Sequence, residues 1–282
     1  MMDSSLNIKA DLHCHSHYSD GTLAPAEVVD LAYKHEVNLL SLTDHDSIDG
    51  LDQARAQAEH YGIHFIAGVE VSATWNQQTL HIVGLNIDPN NEVLLQGLAS
   101  NCALRAQRSN DMLNKLDAHG IDIRQAVEKQ LPDGGVPTRT HIARALIDTG
   151  AVKNMNAAFK RYLGAGKIGY VPSEWADMRD VVAWISAAGG VAVLAHPMRY
   201  RLSATKLRMV VSDFVESGGK ALEVVTATQD AKQTRDCITL VQDNQLLAST
   251  GSDFHSLDQP WAVLGRCPAL PSSVQPVWEY FL

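Results

Sequence analysis

The sequence predicts an α/β fold: a mainly parallel sheet with helices outside it and a mostly helical insertion in the middle. Three observations carry that reading. Strand-like and helix-like stretches alternate over residues 1–91, the same rhythm returns over 168–282, and residues 92–167 between them show helical pattern only. Repeated β-α units of this length build a parallel sheet flanked by helices. The pattern leaves open whether the sheet closes into a barrel.

The elements follow in order. Residues 9–15 form a short strand that runs into the turn Ser19-Asp20-Gly21. Pro25 opens a helix to His35, since proline is tolerated in a first turn. Leu39 to Thr43 is a buried strand, and Ile48 to Tyr61 is a helix stopped by Gly62. Phe65 to Val71 and Leu80 to Ile87 are strands. The insertion reads as helices over 92–119, 123–130, 139–149 and 156–163. Helices over 178–188, 204–216 and 231–244 then precede strands over 191–194, 221–225 and 246–250.

Composition narrows the class. With 45% hydrophobic and 20% charged residues in 282, the chain is a globular one, neither disordered nor fibrous. No apolar run reaches the roughly 18 residues of a bilayer span. Met1 to Ser5 shows no signal-peptide pattern, and Cys14, Cys102, Cys237 and Cys267 form no CxxC pair. Both features point to a reducing cytoplasm and away from a disulfide scaffold or a membrane partner. No feature points to a protein partner. The net charge of −9 hides an asymmetry: residues 92–167 hold eleven Lys/Arg and seven Asp/Glu, a net of +4, against −13 for the remainder. A basic cap on an acidic body suits an anionic ligand, although a solvated helical surface has the same count.

The chemistry sits at strand ends. His13 and His15 are two residues apart, so in a strand they share a face. Asp20 follows that strand; Thr43-Asp44-His45-Asp46 follows the second; Glu70 closes Gly68-Val69-Glu70; His81 opens the next strand; His196 and Ser252-Asp253-Phe254-His255 follow later ones. Strand C-termini converge on one rim in parallel α/β folds. Six histidines and three carboxylates gathered there are costly unless something binds them. Nitrogen and oxygen ligands without sulfur suit Mn²⁺, Fe²⁺ or Zn²⁺, and nine exceed the need of one ion. Asp44 and Asp46 are better placed to orient His45 than to ligate. Trp75 and Trp261 are either base-stacking or packing residues.

These motifs together resemble the PHP (polymerase and histidinol phosphatase) phosphoesterase family over essentially the whole chain. The resemblance implies a distorted seven-stranded (β/α) barrel and a site for three divalent ions, commonly Mn²⁺. It implies His13, His15, Glu70 and Asp253 at one ion, Glu70, His81 and His196 at a second, and Asp20, His45 and His255 at the third. Within the insertion, Thr138-Arg139-Thr140-His141-Ile142-Ala143-Arg144 resembles a family block, with Thr138 and Thr140 in place of Gly and Pro. Tyr162 to Lys167 followed by Tyr170-Val171-Pro172 resembles a second. Both mark the subgroup of nucleoside 3′,5′-bisphosphate phosphatases, whose bacterial members also act as 5′-to-3′ exoribonucleases.

The resemblance therefore implies a metal-dependent phosphoesterase. Its substrates would be a nucleoside 3′,5′-bisphosphate and 5′-phosphorylated single-stranded RNA. A hydroxide held between metal ions would attack phosphorus, with no protein nucleophile. Arg139 and Lys167 would take the substrate 5′-phosphate, with His141 and Arg199 as further contacts. Histidinol-phosphate hydrolysis, amide hydrolysis and a non-catalytic RNA-binding module are the rival readings. The two insertion blocks, the basic cap and the complete ligand set argue against them in turn.

Overall fold

A computed structural model of the chain describes residues 8–282; the reading of Met1 to Ser5 lies outside them. Seven strands form one sheet in sequence order: β1 (Ala10–Asp11), β2 (Leu39–Leu42), β3 (His64–Trp75), β4 (Gln78–Leu85), β5 (Val191–Leu194), β6 (Ala221–Thr226) and β7 (Leu247–Gly251). The two edges then meet. Leu12 N–H donates to Thr250 O at 3.0 Å, Asp253 N–H to His13 O at 2.8 Å, and His15 N–H to Phe254 O at 2.9 Å. The sheet is thereby a distorted, nearly closed seven-stranded barrel.

One strand breaks the parallel rule: β4 runs antiparallel to both β3 and β5. The cause is the link between β3 and β4. Trp75 pairs with Gln78, so only Asn76 and Gln77 lie between, at φ 45° and 65°. Two successive left-handed residues make the tight turn whose twist suits a hairpin. The reversal puts the start of β4, with His81, on the rim where the other strands end.

Helices α1 (Pro25–Lys34), α2 (Leu51–Tyr61), α7 (Met178–Ala187), α8 (Ala204–Glu216) and α9 (Ala231–Asp243) cover the outside. Their apolar stripes pack on alternate strand residues, including Leu40, Leu42, Val69, Val71 and Leu222. The opposite sheet face holds Leu12, Leu39, Ile66, Val83, Val193 and Ala221, with Val277 and Trp278 against them. Glu70 lies between Val69 and Val71, so strand alternation turns it to the inner face.

Residues between β4 and β5 build the cap: α3 (Glu92–Asp117), α4 (Arg124–Glu128), α5 (Arg139–Asp148) and α6 (Met155–Ala158), which continues as a π-turn over Phe159–Leu163. The cap has its own apolar cluster, with Met112, Leu116, Ile142, Leu146 and Leu163. Helix α3 joins both bodies. Leu94 and Leu98 belong to the barrel's core, Met112 and Leu116 to the cap's. Gly97 permits the approach: a Cβ there would lie 2.3 Å from the Trp184 ring of α7.

Candidate metal centre

The nine residues singled out from the sequence come together at one end of the barrel. Glu70 lies at the middle, fully buried. Its Oε1 is 2.9 Å from His81 Nδ1, 3.0 Å from His196 Nε2 and 3.3 Å from His13 Nε2. Its Oε2 is 2.9 Å from His45 Nδ1 and 3.3 Å from His15 Nε2. Asp253 Oδ1 lies 3.1 Å from His15 Nε2 and 3.4 Å from His13 Nε2. Asp20 Oδ1 lies 3.1 Å from His255 Nε2.

Three groupings have all their donor atoms within 4.8 Å of one another: His13, His15, Glu70 and Asp253; His15, Asp20, His45 and His255; and His45, Glu70 and His81. Compared with the sets implied by resemblance, His15 also approaches the Asp20 group, and His45 stands with Glu70 and His81 where His196 was implied; His196, 3.0 Å from Glu70, falls in none of the three groupings.

The donor atoms are short of partners. His13 Nε2, Asp20 Oδ1, His45 Nδ1, Glu70 Oε2 and His196 Nδ1 are buried without a hydrogen bond among the described residues. Buried polar atoms are almost always satisfied, so five orphans in one cluster call for a ligand. Backbone strain marks the same place. Asp46, His196 and Asp253 have φ of 52°, 30° and 53°, in the left-handed region that side-chain-bearing residues rarely adopt.

Electrostatics agree. Burial disfavours charge throughout, yet opposite charges outweigh it. The surrounding histidines hold Glu70, Asp20 and Asp253 well below the usual carboxylate range. Burial also works against charge on His255, but Asp20 and Asp253 push its imidazole up to about 9. His15 goes the other way, to about 3, because burial and the neighbouring His255 dominate. Anionic carboxylates among imidazoles are a donor set that fits divalent metal ions.

A carboxylate that the sequence reading missed supports this set. Glu223 Oε1 lies 2.6 Å from His13 Nδ1, and Glu223 Oε2 accepts the His196 backbone N–H at 2.5 Å. A glutamate within the apolar strand Ala-Leu-Glu-Val-Val was the available signal. Asp44 accepts hydrogen bonds from Ser16 N and from the Ser16 and Ser19 hydroxyls at 2.6–2.8 Å, which ties down the loop carrying Asp20. Asp46 accepts from Ser72 N and Asn101 Nδ2, both at 2.9 Å, and pairs with Arg105 of α3.

A cavity of about 250 Å³ opens onto the cluster. Barrel residues Asp20, His45, Glu70, His81, His196, Asp253 and His255 line one side; Arg105, Arg108 and Arg139 line the other, with Arg199 at the edge. Arg105 and Arg108 were also missed, since nothing in sequence aims one turn of a long helix at the barrel. Arg105 and Arg108 lie 4.7 and 5.8 Å from the Trp175 ring. Burial and the Arg139 and Arg105 guanidiniums push Arg108 down to about 10, so cations are crowded there without enough counter-charge.

Other expected contacts are placed elsewhere. Lys167 is exposed and is not among the residues lining this cavity. The turn after the π-segment folds back, with Gly169 N–H on Tyr162 O and Lys167 N–H on Gly164 O. His141 is buried and caps α5: the Thr138 N–H donates to His141 Nδ1 at 3.1 Å. Arg199 pairs with Asp253 and reaches Thr228 Oγ1 at 3.3 Å. Trp75 packs in the core and donates to Asp213, whereas Trp261 is exposed.

Barrel and site define a metal-dependent PHP-type enzyme, and the chain belongs to the PHP domain family, which residues 11–165 match. Among its relatives, a protein named 5′-3′ exoribonuclease of Haemophilus influenzae is 43% identical over 97% of this chain and 99% of its own. A 3′,5′-nucleoside bisphosphate phosphatase of Chromobacterium violaceum is 41% identical over 95% of each chain. A solved structure of an amidohydrolase from Chromobacterium violaceum, with bound sulfate and no metal, superposes with TM-score 0.92 at 41% identity, covering 96% of this chain and 95% of that one. Among the described residues no helix is long and apolar enough to cross a membrane.

Proposed function

We propose that the protein removes the 3′-phosphate of nucleoside 3′,5′-bisphosphates and, at the same site, trims 5′-phosphorylated single-stranded RNA from its 5′ end. The observation that carries this reading is the shared cavity, in which guanidiniums face a cluster of metal-type ligands. That layout holds one phosphate by charge and presents a second to the ligand cluster. The names of the relatives point the same way.

His13, His15, Asp20, His45, Glu70, His81, His196, Asp253 and His255 would hold the divalent ions. Three ions, most simply Mn²⁺ with Fe²⁺ or Zn²⁺ as substitutes, suit three overlapping groups that take in eight of the nine donors, with His196 beside Glu70. When bound, such ions lower the pKa of water and neutralise charge on the phosphoryl oxygens. The protein's own residues do the rest. Arg139 and Arg108, which have no carboxylate partner among the described residues, grip the substrate's 5′-phosphate; the guanidinium fork suits its oxygens. They stand where Arg139 and Lys167 were expected. Glu223 keeps His13 and His196 in place, Asp44 ties down the Asp20 loop, and Asp46, which does not touch His45, ties α3 and Arg105 to the barrel.

In a bisphosphate, the phosphate presented to the ligand cluster is the 3′ one. In RNA it is the first internucleotide phosphate. Hydrolysis there adds water across the P–O3′ bond, with hydroxide on phosphorus and the proton on O3′. The products are a nucleoside 5′-phosphate and a shortened RNA that again begins with a 5′-phosphate. A protein sample loaded with Mn²⁺ should turn over 3′-phosphoadenosine 5′-phosphate (pAp) in preference to histidinol phosphate and to an N-acyl amino acid. Preference for either of the latter would replace this reading.

A further inference from the structure

We infer that Trp261 is the stacking platform for the second base of an RNA substrate, and so selects polynucleotide over mononucleotide substrates. This rests on the proposed function and adds a subsite to it.

The observation is a second cavity that opens from the first. Thr140, Arg199, Asp253 and His255 line both. Beyond these four the second cavity is walled by Met155 of the cap on one side and by Thr228, Gln259, Trp261 and Ala262 on the other. No carboxylate other than Asp253 lines it, and Arg199 already spends its charge on Asp253. Away from the ligand cluster the wall is therefore uncharged and partly apolar, through Met155, Trp261 and Ala262, unlike the arginine-lined side.

Trp261 is 60% exposed, whereas Trp75, Trp175 and Trp278 are buried. A single exposed aromatic is unremarkable by itself. Two further facts separate this one from an incidental surface residue. It borders a cavity continuous with Asp253 and His255, and its turn is held firmly. Gln259 N–H donates to Ser256 O at 3.2 Å, Ala262 N–H donates to Gln259 O at 3.0 Å, and Ala262 is buried beneath. An indole with a free face on a held turn can stack on a base.

Chain direction decides the occupant. The 5′-terminal nucleotide lies on the arginine side and the scissile phosphate at the ligand cluster. The cavity that shares His45, Arg105 and Thr138 with the first adjoins the arginine side, as does the one that shares Arg108 and Trp175, which leaves the side lined by Arg199, Asp253 and His255 for the next nucleotide. pAp has no such nucleotide. Stacking tolerates any base, as an exonuclease requires.

The test compares wild type with Trp261→Ala and Trp261→Phe. The ratio of kcat/KM for a 5′-phosphorylated oligoribonucleotide to that for pAp should fall about 10-fold in Trp261→Ala, the scale of one stacked base, and recover in Trp261→Phe. An oligoribonucleotide abasic at its second position should show the same loss with wild type and no further loss with Trp261→Ala. Adding the intact oligonucleotide to metal-stripped protein should quench tryptophan emission more than pAp does, since pAp reaches only Trp175, and Trp261→Phe should abolish that excess. An unchanged ratio in Trp261→Ala, or an excess quenching that persists in Trp261→Phe, overturns the inference. Failure of the underlying reading looks different: wild type would hydrolyse neither substrate, and the quenching would still decide whether Trp261 stacks on a base.

Discussion

His13 Nδ1 lies 2.6 Å from the Oε1 of Glu223, a residue 210 positions further along the chain. Donation by Nδ1–H to this carboxylate leaves the Nε2 lone pair free to face Glu70 and Asp253. Such an outer partner fixes a ligand's tautomer and orientation. The same Glu223 accepts the backbone N–H of His196, so one side chain sets two of the nine donors. Glu223→Gln should lower metal affinity by about 10- to 100-fold, the range for losing such a partner, with little change in fold. Metal titration by calorimetry, with circular dichroism as control, checks this; unchanged affinity would reduce Glu223 to a packing residue.

Gly251 ends β7 against the start of the site. A Cβ there would stand 2.2 Å from His13 Cβ and 2.7 Å from His13 N. Backbone at that distance cannot yield cheaply, so Gly251→Ala should cost on the order of 1–3 kcal/mol and displace His13. Thermal unfolding and metal content measured together should show both losses. Normal metal content in the variant would mean that the strand end shifts without carrying the ligand.

Arg139→Ala should raise the barrier for 5′-phosphorylated substrates by about 1.5–3 kcal/mol, the scale of a charged hydrogen bond. A 3′-phosphate substrate with a free 5′-hydroxyl should be nearly indifferent. Lys167→Ala, by contrast, should change little, since that side chain stands off the cavity. Paired kinetics on the two substrates decide it: equal losses would give Arg139 a role in the fold.

His141 supplies a pH effect. Burial pushes its imidazole down to about 4, against 6.5 when free. The unfolded chain therefore takes up a proton first, and stability present above pH 6.5 is lost as pH falls toward 4. The full span corresponds to about 3 kcal/mol. His141→Asn keeps an acceptor for the Thr138 N–H but cannot titrate. The stability gap between wild type and this variant should narrow on acidification, as read by denaturant midpoints at pH 7 and 4.5. A constant gap would mean that His141 titrates normally.

The site was legible because its residues repeat one grammar, a charged or imidazole side chain just past an apolar strand. His13, His15, His45 and Asp253 all follow it; Glu70 lies within β3, and its place after Gly68-Val69 is what marked it. Glu223 escaped because it lies within a strand and touches no candidate nearby in sequence. Arg105 and Arg108 escaped because the apolar stripe of α3 lapses between Leu98 and Met112, and only packing against Trp175 and Asp46 aims that turn at the barrel. Lys167 looked right by motif, but the backbone turn at Gly164–Gly169 directs it outward. The reversal of β4 was hidden because Asn76-Gln77 lacks the glycine that usually signals such a turn.

The central claim is that one cavity serves both substrates. It is tested most directly by following Mn²⁺-dependent shortening of a 5′-phosphorylated, 3′-labelled RNA at increasing pAp. With one shared cavity the RNA shortens as a ladder from the 5′ end, and pAp inhibits competitively with an inhibition constant equal to its own KM. Noncompetitive inhibition, or RNA trimming indifferent to saturating pAp, would contradict it.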